Sequence, residues 1–204
     1  GTAAPSPLFG PIKMLNDKSN TYGVTVAYVA SGGSDAGAKT VYDVASYPGD
    51  ATAYKFATID GALLAIKNYN NTNHSRANVG GGIVYVNDGT YAWVGGSSAY
   101  TTAADTWVTV TRAATSTNRA SVIIGSQSGN SSINGKTKIL DITLSATTNL
   151  FFRGDNSALW FDQCTINYTG ASMIYANGIV THYTRNTITA AVQGLSNPSG
   201  KTAT

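Results

Sequence analysis

The 204-residue chain is 42% hydrophobic but only 11% charged, with a net charge of +3. That is enough apolar content for one ordinary domain with its own core. The basic charge is too small and scattered to argue for a nucleic-acid partner, because Lys136 and Lys138, the closest basic pair in the body, lack aromatic interleaving. No apolar run reaches membrane-spanning length. The lone Cys164 excludes an internal disulfide, and every acidic residue is aspartate, a composition that suits ladders and turns better than helices.

In chain order, residues 1–22 carry Pro5, Pro7 and Pro11 and read as an extended arm, either a plain linker or a segment that docks on another subunit. No secretory leader is visible, so Gly1 reads as a processed start or the first residue of an excised piece. A strand follows, in which Val24, Val26 and Tyr28 alternate with Thr25, Ala27 and Val29, and Val24, Val26 and Tyr28 are expected to form its apolar face. Ser31-Gly32-Gly33-Ser34-Asp35 ends it with residues that tolerate positive φ or bond their own backbone. Ile59, Ala62, Leu63, Ile66 and Tyr69 fall on one stripe of a helix over about residues 58–69, with Thr58 as its N-cap. The Asn-rich stretch 68–78, which holds His74, reads as a loop.

Ile83-Val84-Tyr85-Val86 reads as the next strand, turned by Asn87-Asp88-Gly89. Gly80, Gly81 and Gly82 precede a strand rather than a helix, so they form no phosphate cradle. Tyr91, Trp93 and Tyr100 bracket a Gly/Ser loop and are the candidate glycan-binding residues, because exposed aromatic faces suit the apolar face of a sugar ring. Trp107 opens the strand Trp107-Val108-Thr109-Val110 and is expected to pack inward.

The second half repeats. Phe161-Asp162-Gln163-Cys164-Thr165-Ile166 aligns with Tyr183-Thr184-Arg185-Asn186-Thr187-Ile188, an offset of 22, and the same step backwards reaches Leu144 and then Val122. These four residues are expected to stack as one ladder of parallel coils. The alternative, an antiparallel β-sandwich, requires neither a constant period nor a capping helix. The predicted organisation is an arm over 1–22, a β-helix over 23–190 with the helix at its N-terminal end, and a polar linker or further coils over 191–204.

The blocks from Tyr28 to Tyr91 resemble the N-terminal start of the pectate-lyase-like superfamily of right-handed parallel β-helices, which includes phage tailspikes and secreted polysaccharide-degrading enzymes. The resemblance implies an all-β, right-handed, single-stranded parallel β-helix with one N-terminal capping α-helix, located outside the cell or on a virion. On such a fold, cleavage draws on carboxylates and basic groups along one outer face, with Ca²⁺ possible for a lyase. The repeat register brings Asp162 and Gln163 beside Thr184 and Arg185, with Asp141 and Lys138 one coil earlier. Asp162 and Arg185 are therefore the candidate catalytic pair, and the competing reading is a surface ion pair of small energetic value. Asp35 and Asp88 read as turn residues before metal ligands, and neither His74 nor His182 has a ligand partner at metal-binding spacing. Cys164 aligns with Asn186, which points to an interior stacked position.

Two functions follow. One is a non-catalytic structural or receptor-binding protein that contacts glycans, with other subunits meeting the arm and the uncapped C-terminal end. The other is the N-terminal part of a polysaccharide lyase or glycoside hydrolase. No resident cofactor is implied by the first.

Overall fold

The structure, a computed structural model, describes residues 25–37, 55–73, 82–92, 107–124, 131–132, 136–146, 152–153, 158–168 and 180–190. The arm over 1–22 and the segment 191–204 lie outside them. Its repeating unit is two short strands around a tight corner: β3 (Gly82–Val86) with β4 (Gly89–Tyr91), β5 (Trp107–Arg112) with β6 (Val122–Ile124), β8 (Lys136–Leu140) with β9 (Thr143–Ala146), β11 (Ala158–Asp162) with β12 (Thr165–Tyr168), and β13 (Val180–Thr184) with β14 (Thr187–Ala190). The first strand of each pair joins a seven-stranded sheet ordered β13-β11-β8-β5-β3-β1-β2, where β1 is Thr25–Val29 and β2 is Lys55–Phe56; the second joins a five-stranded sheet ordered β14-β12-β9-β6-β4. On a third side, β7 (Ser131–Ser132) pairs with β10 (Phe152–Arg153).

Pairing within these sheets is parallel, as in β3 with β5 and β12 with β14. A sandwich would require antiparallel neighbours, so the described residues form a parallel β-solenoid with one α-helix.

The core runs along the axis as stacked side chains. Ala27, Val84, Val110, Ile139, Phe161 and Tyr183 occupy one register line, and the Phe161 and Tyr183 rings stack at 5.4 Å with 10° between their planes. On the smaller sheet the line is Tyr91, Ile124, Leu144, Ile166 and Ile188. The period of 22 therefore holds from Leu144 through Ile188, but the earlier member is Ile124, not Val122. Ile124 lies 20 residues before Leu144 because the chain from Ile124 to the start of β8 is two residues shorter than that from Leu144 to the start of β11. Separately, a long corner between β5 and β6, residues 113–121 where later rungs turn on two, puts Val110 and Ile139 at an offset of 29. A fixed step cannot survive an insertion on one side of the coil.

The last three two-residue corners share a backbone device. Asp141, Gln163 and Arg185, each 22 apart, have φ of 53°, 54° and 54°, a left-handed conformation costly for side chains other than glycine. Hydrogen bonds between coils hold it, with Asp141 N donating to Asp162 O and Gln163 N to Thr184 O. At the next position Asn186 accepts from Cys164 N and donates to Phe161 O. Cys164 is fully buried and its thiol donates to Ile139 O, as expected of an interior stacked residue. Burial pushes that thiol up to about 11, which keeps it protonated and unreactive.

The helix α1 spans Ile59–Asn73, so it continues into the Asn-rich stretch expected to be loop. Thr58 is its N-cap, accepting from Gly61 N at 2.9 Å. Ile59, Ala62, Leu63 and Ile66 enter the same core cluster as Ala27, Val29, Phe56, Val84 and Val86. On β1 the core-facing residues are thus Ala27 and Val29. Tyr28 lies in a separate buried cluster with Ala30 and Ala113, reversing the expected face. Both faces of this strand are apolar enough to be covered, so alternation alone could not choose between them.

Asp35 ties the loop after β1 to the start of α1: its carboxylate accepts from Ala57 N, Thr58 N and the Thr58 hydroxyl at 2.7–3.0 Å. A Cβ at Gly61 would collide with that carboxyl. Gly61→Ala should therefore destabilise the protein by roughly 1–3 kcal/mol in chemical denaturation, although alanine is the better helix former by about 1 kcal/mol. A stabilised variant would show that Asp35 moves aside at no cost.

Candidate functional site

The large sheet's outward face carries the densest chemistry among the described residues. Because side chains alternate along a strand, the residues opposite to the buried Val108, Val110, Ile139 and Phe161 form outward rows across β5, β8, β11 and β13. One row begins with Trp107, Lys136 and Ala158; the next is Thr109, Lys138, Trp160 and His182; the third is Thr111, Leu140, Asp162 and Thr184.

Asp162 is the hub of this face. Its side chain is 0% exposed, yet it accepts from Arg185 Nε at 2.9 Å and Arg185 Nη2 at 2.6 Å as a two-point clamp, from Lys138 Nζ at 3.0 Å and from the Thr184 hydroxyl at 3.0 Å. Burial would raise its pKa, but the hydrogen bonds from Arg185, Lys138 and Thr184 outweigh that and hold the carboxyl below the usual carboxylate range. The same carboxylate raises the pKa of Arg185. The register had placed Asp162 and Arg185 together, and they are; what it misjudged is depth. This is a buried carboxylate under a 57% exposed guanidinium, not a pair of surface groups.

The network continues into two indoles. Thr184 Oγ1, which donates to Asp162, accepts from Trp160 Nε1 at 2.6 Å. Lys138 Nζ, bound to the other carboxylate oxygen, lies 3.6 Å from the centroid of the Trp160 ring, a cation–π contact. Trp160 in turn meets Trp107 edge to face, with centroids 6.1 Å apart and planes at 76°. Both indoles are half-buried, and His182 beside Trp160 is exposed. Trp107 thus lies on the face opposite to Val108, not inward as expected. The period of 22 already aligns Trp160 with Lys138 and His182; Trp107 escapes it because of the long corner.

Asp141 does not join this cluster. It lies at its own corner and takes Arg112 Nε at 2.9 Å, Arg112 Nη2 at 2.7 Å and Arg119 Nε at 2.7 Å, a second charged group that the repeat alignment missed. Asp88 accepts from the Ser116 hydroxyl and from Thr117 N and Oγ1, and these bonds, led by Ser116, lower its pKa. It therefore anchors the long corner as a turn residue.

Of the expected glycan contacts, Trp93 and Tyr100 lie outside the described residues. Tyr91 is corrected: it points into the core opposite Ile124, is 6% exposed and donates its hydroxyl to Asp88 O, so its ring offers no face to a sugar. Among the described residues no group of three or more His, Cys, Asp or Glu side chains is gathered for a metal, Ca²⁺ included, and no helix is long and apolar enough to cross a membrane.

Fold and geometry together define a parallel β-solenoid whose outer face carries an aromatic pair braced by a buried ion cluster. No protein-family model, curated protein or solved structure matches the chain.

Proposed function

We propose that this chain is a non-catalytic, right-handed parallel β-helix of the pectate-lyase-like type, with α1 as its N-terminal cap, that serves as a structural or receptor-binding component of a virion or cell surface and contacts glycans. The observation that carries the non-catalytic part is the state of Asp162. A general acid or base needs a titratable proton near working pH and room beside a substrate atom. This carboxylate is fully enclosed, bonded to four donors and pushed away from neutral pH. Its chemistry is that of an anchor.

The handedness follows the strong preference of parallel crossovers. The cap reading is supported by the apolar stripe of α1, which enters the core cluster beside β1, β2 and β3. At the opposite end β13 and β14 are the last strands of both sheets, and Ile188, closing its ladder, is 41% exposed. Edges with no further strand among the described residues and an exposed apolar rung suit a contact with another subunit, and the arm over 1–22 is a second candidate for such contacts.

Incubation with a panel of neutral and acidic polysaccharides, with and without Ca²⁺, checks the reading. The expected result is binding to at least one glycan without release of reducing or unsaturated ends. Chain cleavage that disappears in Asp162→Asn, with the variant still folded, would replace this function by a polysaccharide lyase or hydrolase.

A further inference from the structure

We infer that the last described coil, β13 and β14 with the corner between them, is a latched unit that opens and closes as a whole on an otherwise intact solenoid, and that Arg185 and Asn186 form its latch.

Apolar burial holds this coil weakly. β13 and β14 end both sheets among the described residues, so the coil packs on one described neighbour where the coils before it pack on two. Its two ladder positions show the difference. Phe161 and Ile166 are 0% exposed, whereas Tyr183, stacked over the first, is half-buried and Ile188, in register over the second, is 41% exposed. In a stack of repeats, an end unit with little buried apolar surface is the one that opens at the lowest free-energy cost.

Side-chain tethers compensate, and they gather at the corner. Asn186 Oδ1 accepts from Cys164 N at 2.8 Å while its Nδ2 donates to Phe161 O at 2.9 Å, so one amide satisfies two backbone groups of the coil beneath. Arg185, at a φ of 54°, places Nε and Nη2 on the Asp162 carboxylate at 2.9 and 2.6 Å. The Thr184 hydroxyl donates to the same carboxylate and accepts from Trp160 Nε1. All these bonds leave three consecutive residues, 184–186, and reach one neighbouring coil. A network of this kind is made or lost together, so the coil opens as a unit instead of fraying from its strand ends.

The latch separates two surfaces. Closed, the coil presents His182, Arg185, Thr187 and Thr189 to water, with Ile188 as the one exposed large apolar side chain among its described residues. Open, it uncovers Phe161, Cys164 and Ile166, all fully buried in the closed form. Cys164, whose backbone N–H is bonded to Asn186, is thereby a built-in reporter of the opening.

Native-state hydrogen exchange of the full chain and the labelling rate of Cys164 by a thiol reagent, both followed through urea concentrations below the unfolding transition, test the latch. Amides of β13 and β14 should exchange through an opening that depends less on urea than the opening of β3 and β5, because it exposes less surface. Cys164 should label through that same smaller opening. Asn186→Ala and Arg185→Asn, the second keeping a residue that tolerates positive φ, should each speed labelling roughly fivefold or more, the effect of losing about one net hydrogen bond. Protection of β3 and β5 should stay at the wild-type level. If Asn186→Ala does not fold, Arg185→Asn carries the test. Cys164 labelling with the urea dependence of global unfolding, or variants that raise exchange equally in β3 and β13, overturns the inference.

Discussion

Asp162→Asn should cost roughly 3 kcal/mol of folding stability at neutral pH, measured by chemical denaturation. Removing one partner of a buried ion pair leaves the other charge without compensation, typically at about 3–5 kcal/mol. Lys138 is the stranded group here, with only 10% of its side chain exposed, whereas Arg185 at 57% can turn to water. That exposure places the expected loss at the lower end of the range. The pH dependence has a definite sign. Because the folded-state pKa of Asp162 is depressed, its contribution is complete above the unfolded carboxylate value of about 4 and is lost as pH falls through the lower folded value. The stability gap between wild type and Asp162→Asn should therefore be constant near neutrality and narrow on acidification below about pH 4. Replacing Lys138 and Asp162 together by Met and Leu should recover much of the loss, since an apolar pair of similar volume leaves no stranded charge. A gap that does not change with pH would show that the carboxylate is not ionised in the folded protein.

Leu63→Ala is expected to cost roughly 2–5 kcal/mol, the range for emptying a buried leucine site. Leu63 is 1% exposed and lies in the core cluster with Ile59, Ile66, Val84 and Val86, while its neighbour Leu64 is 39% exposed on the same helix. Leu64→Ala should accordingly stay within about 0.5 kcal/mol of wild type. This contrast between adjacent leucines tests the cap. If α1 seals the end of the solenoid, loosening its inner stripe should also increase hydrogen exchange in β1 and β3, whose apolar faces it covers. Equal effects at both positions, or no effect at Leu63, would mean that the helix does not close the core.

The outward site and the core ladders have one origin in the repeat. Each of the last three two-residue corners puts a side chain at positive φ, and at Arg185 that corner lets the guanidinium reach back one coil to Asp162. Substituting Arg185 therefore tests a corner and an ion cluster together. A buffer-exposed arginine clamped on a fully buried carboxylate also explains how a flat sheet face can carry charge without leaving it unpaired.

What the chain alone determined is the part that depends on local spacing. The helix stripe, its Thr58 cap, the corner at Asn87-Asp88-Gly89 and the register of Phe161 on Tyr183 and Ile166 on Ile188 all follow from periodicity, because a helix and a ladder each repeat at an interval visible along the sequence. The meeting of Asp162 with Arg185 and the interior place of Cys164 belong to the same register. Tertiary structure decided the rest. The nine-residue corner over 113–121 shifted Trp107 and Arg112 out of the 22-residue step, and a shorter stretch between β6 and β8 shifted Ile124, so only the paired strands reveal Trp107 against Trp160 and Arg112 on Asp141. Which face of β1 and β4 turns inward was decided in the same way: Tyr28 and Tyr91 belong to strands whose two faces differ little in hydropathy, and only the neighbouring coils and the helix determine which side joins the main core.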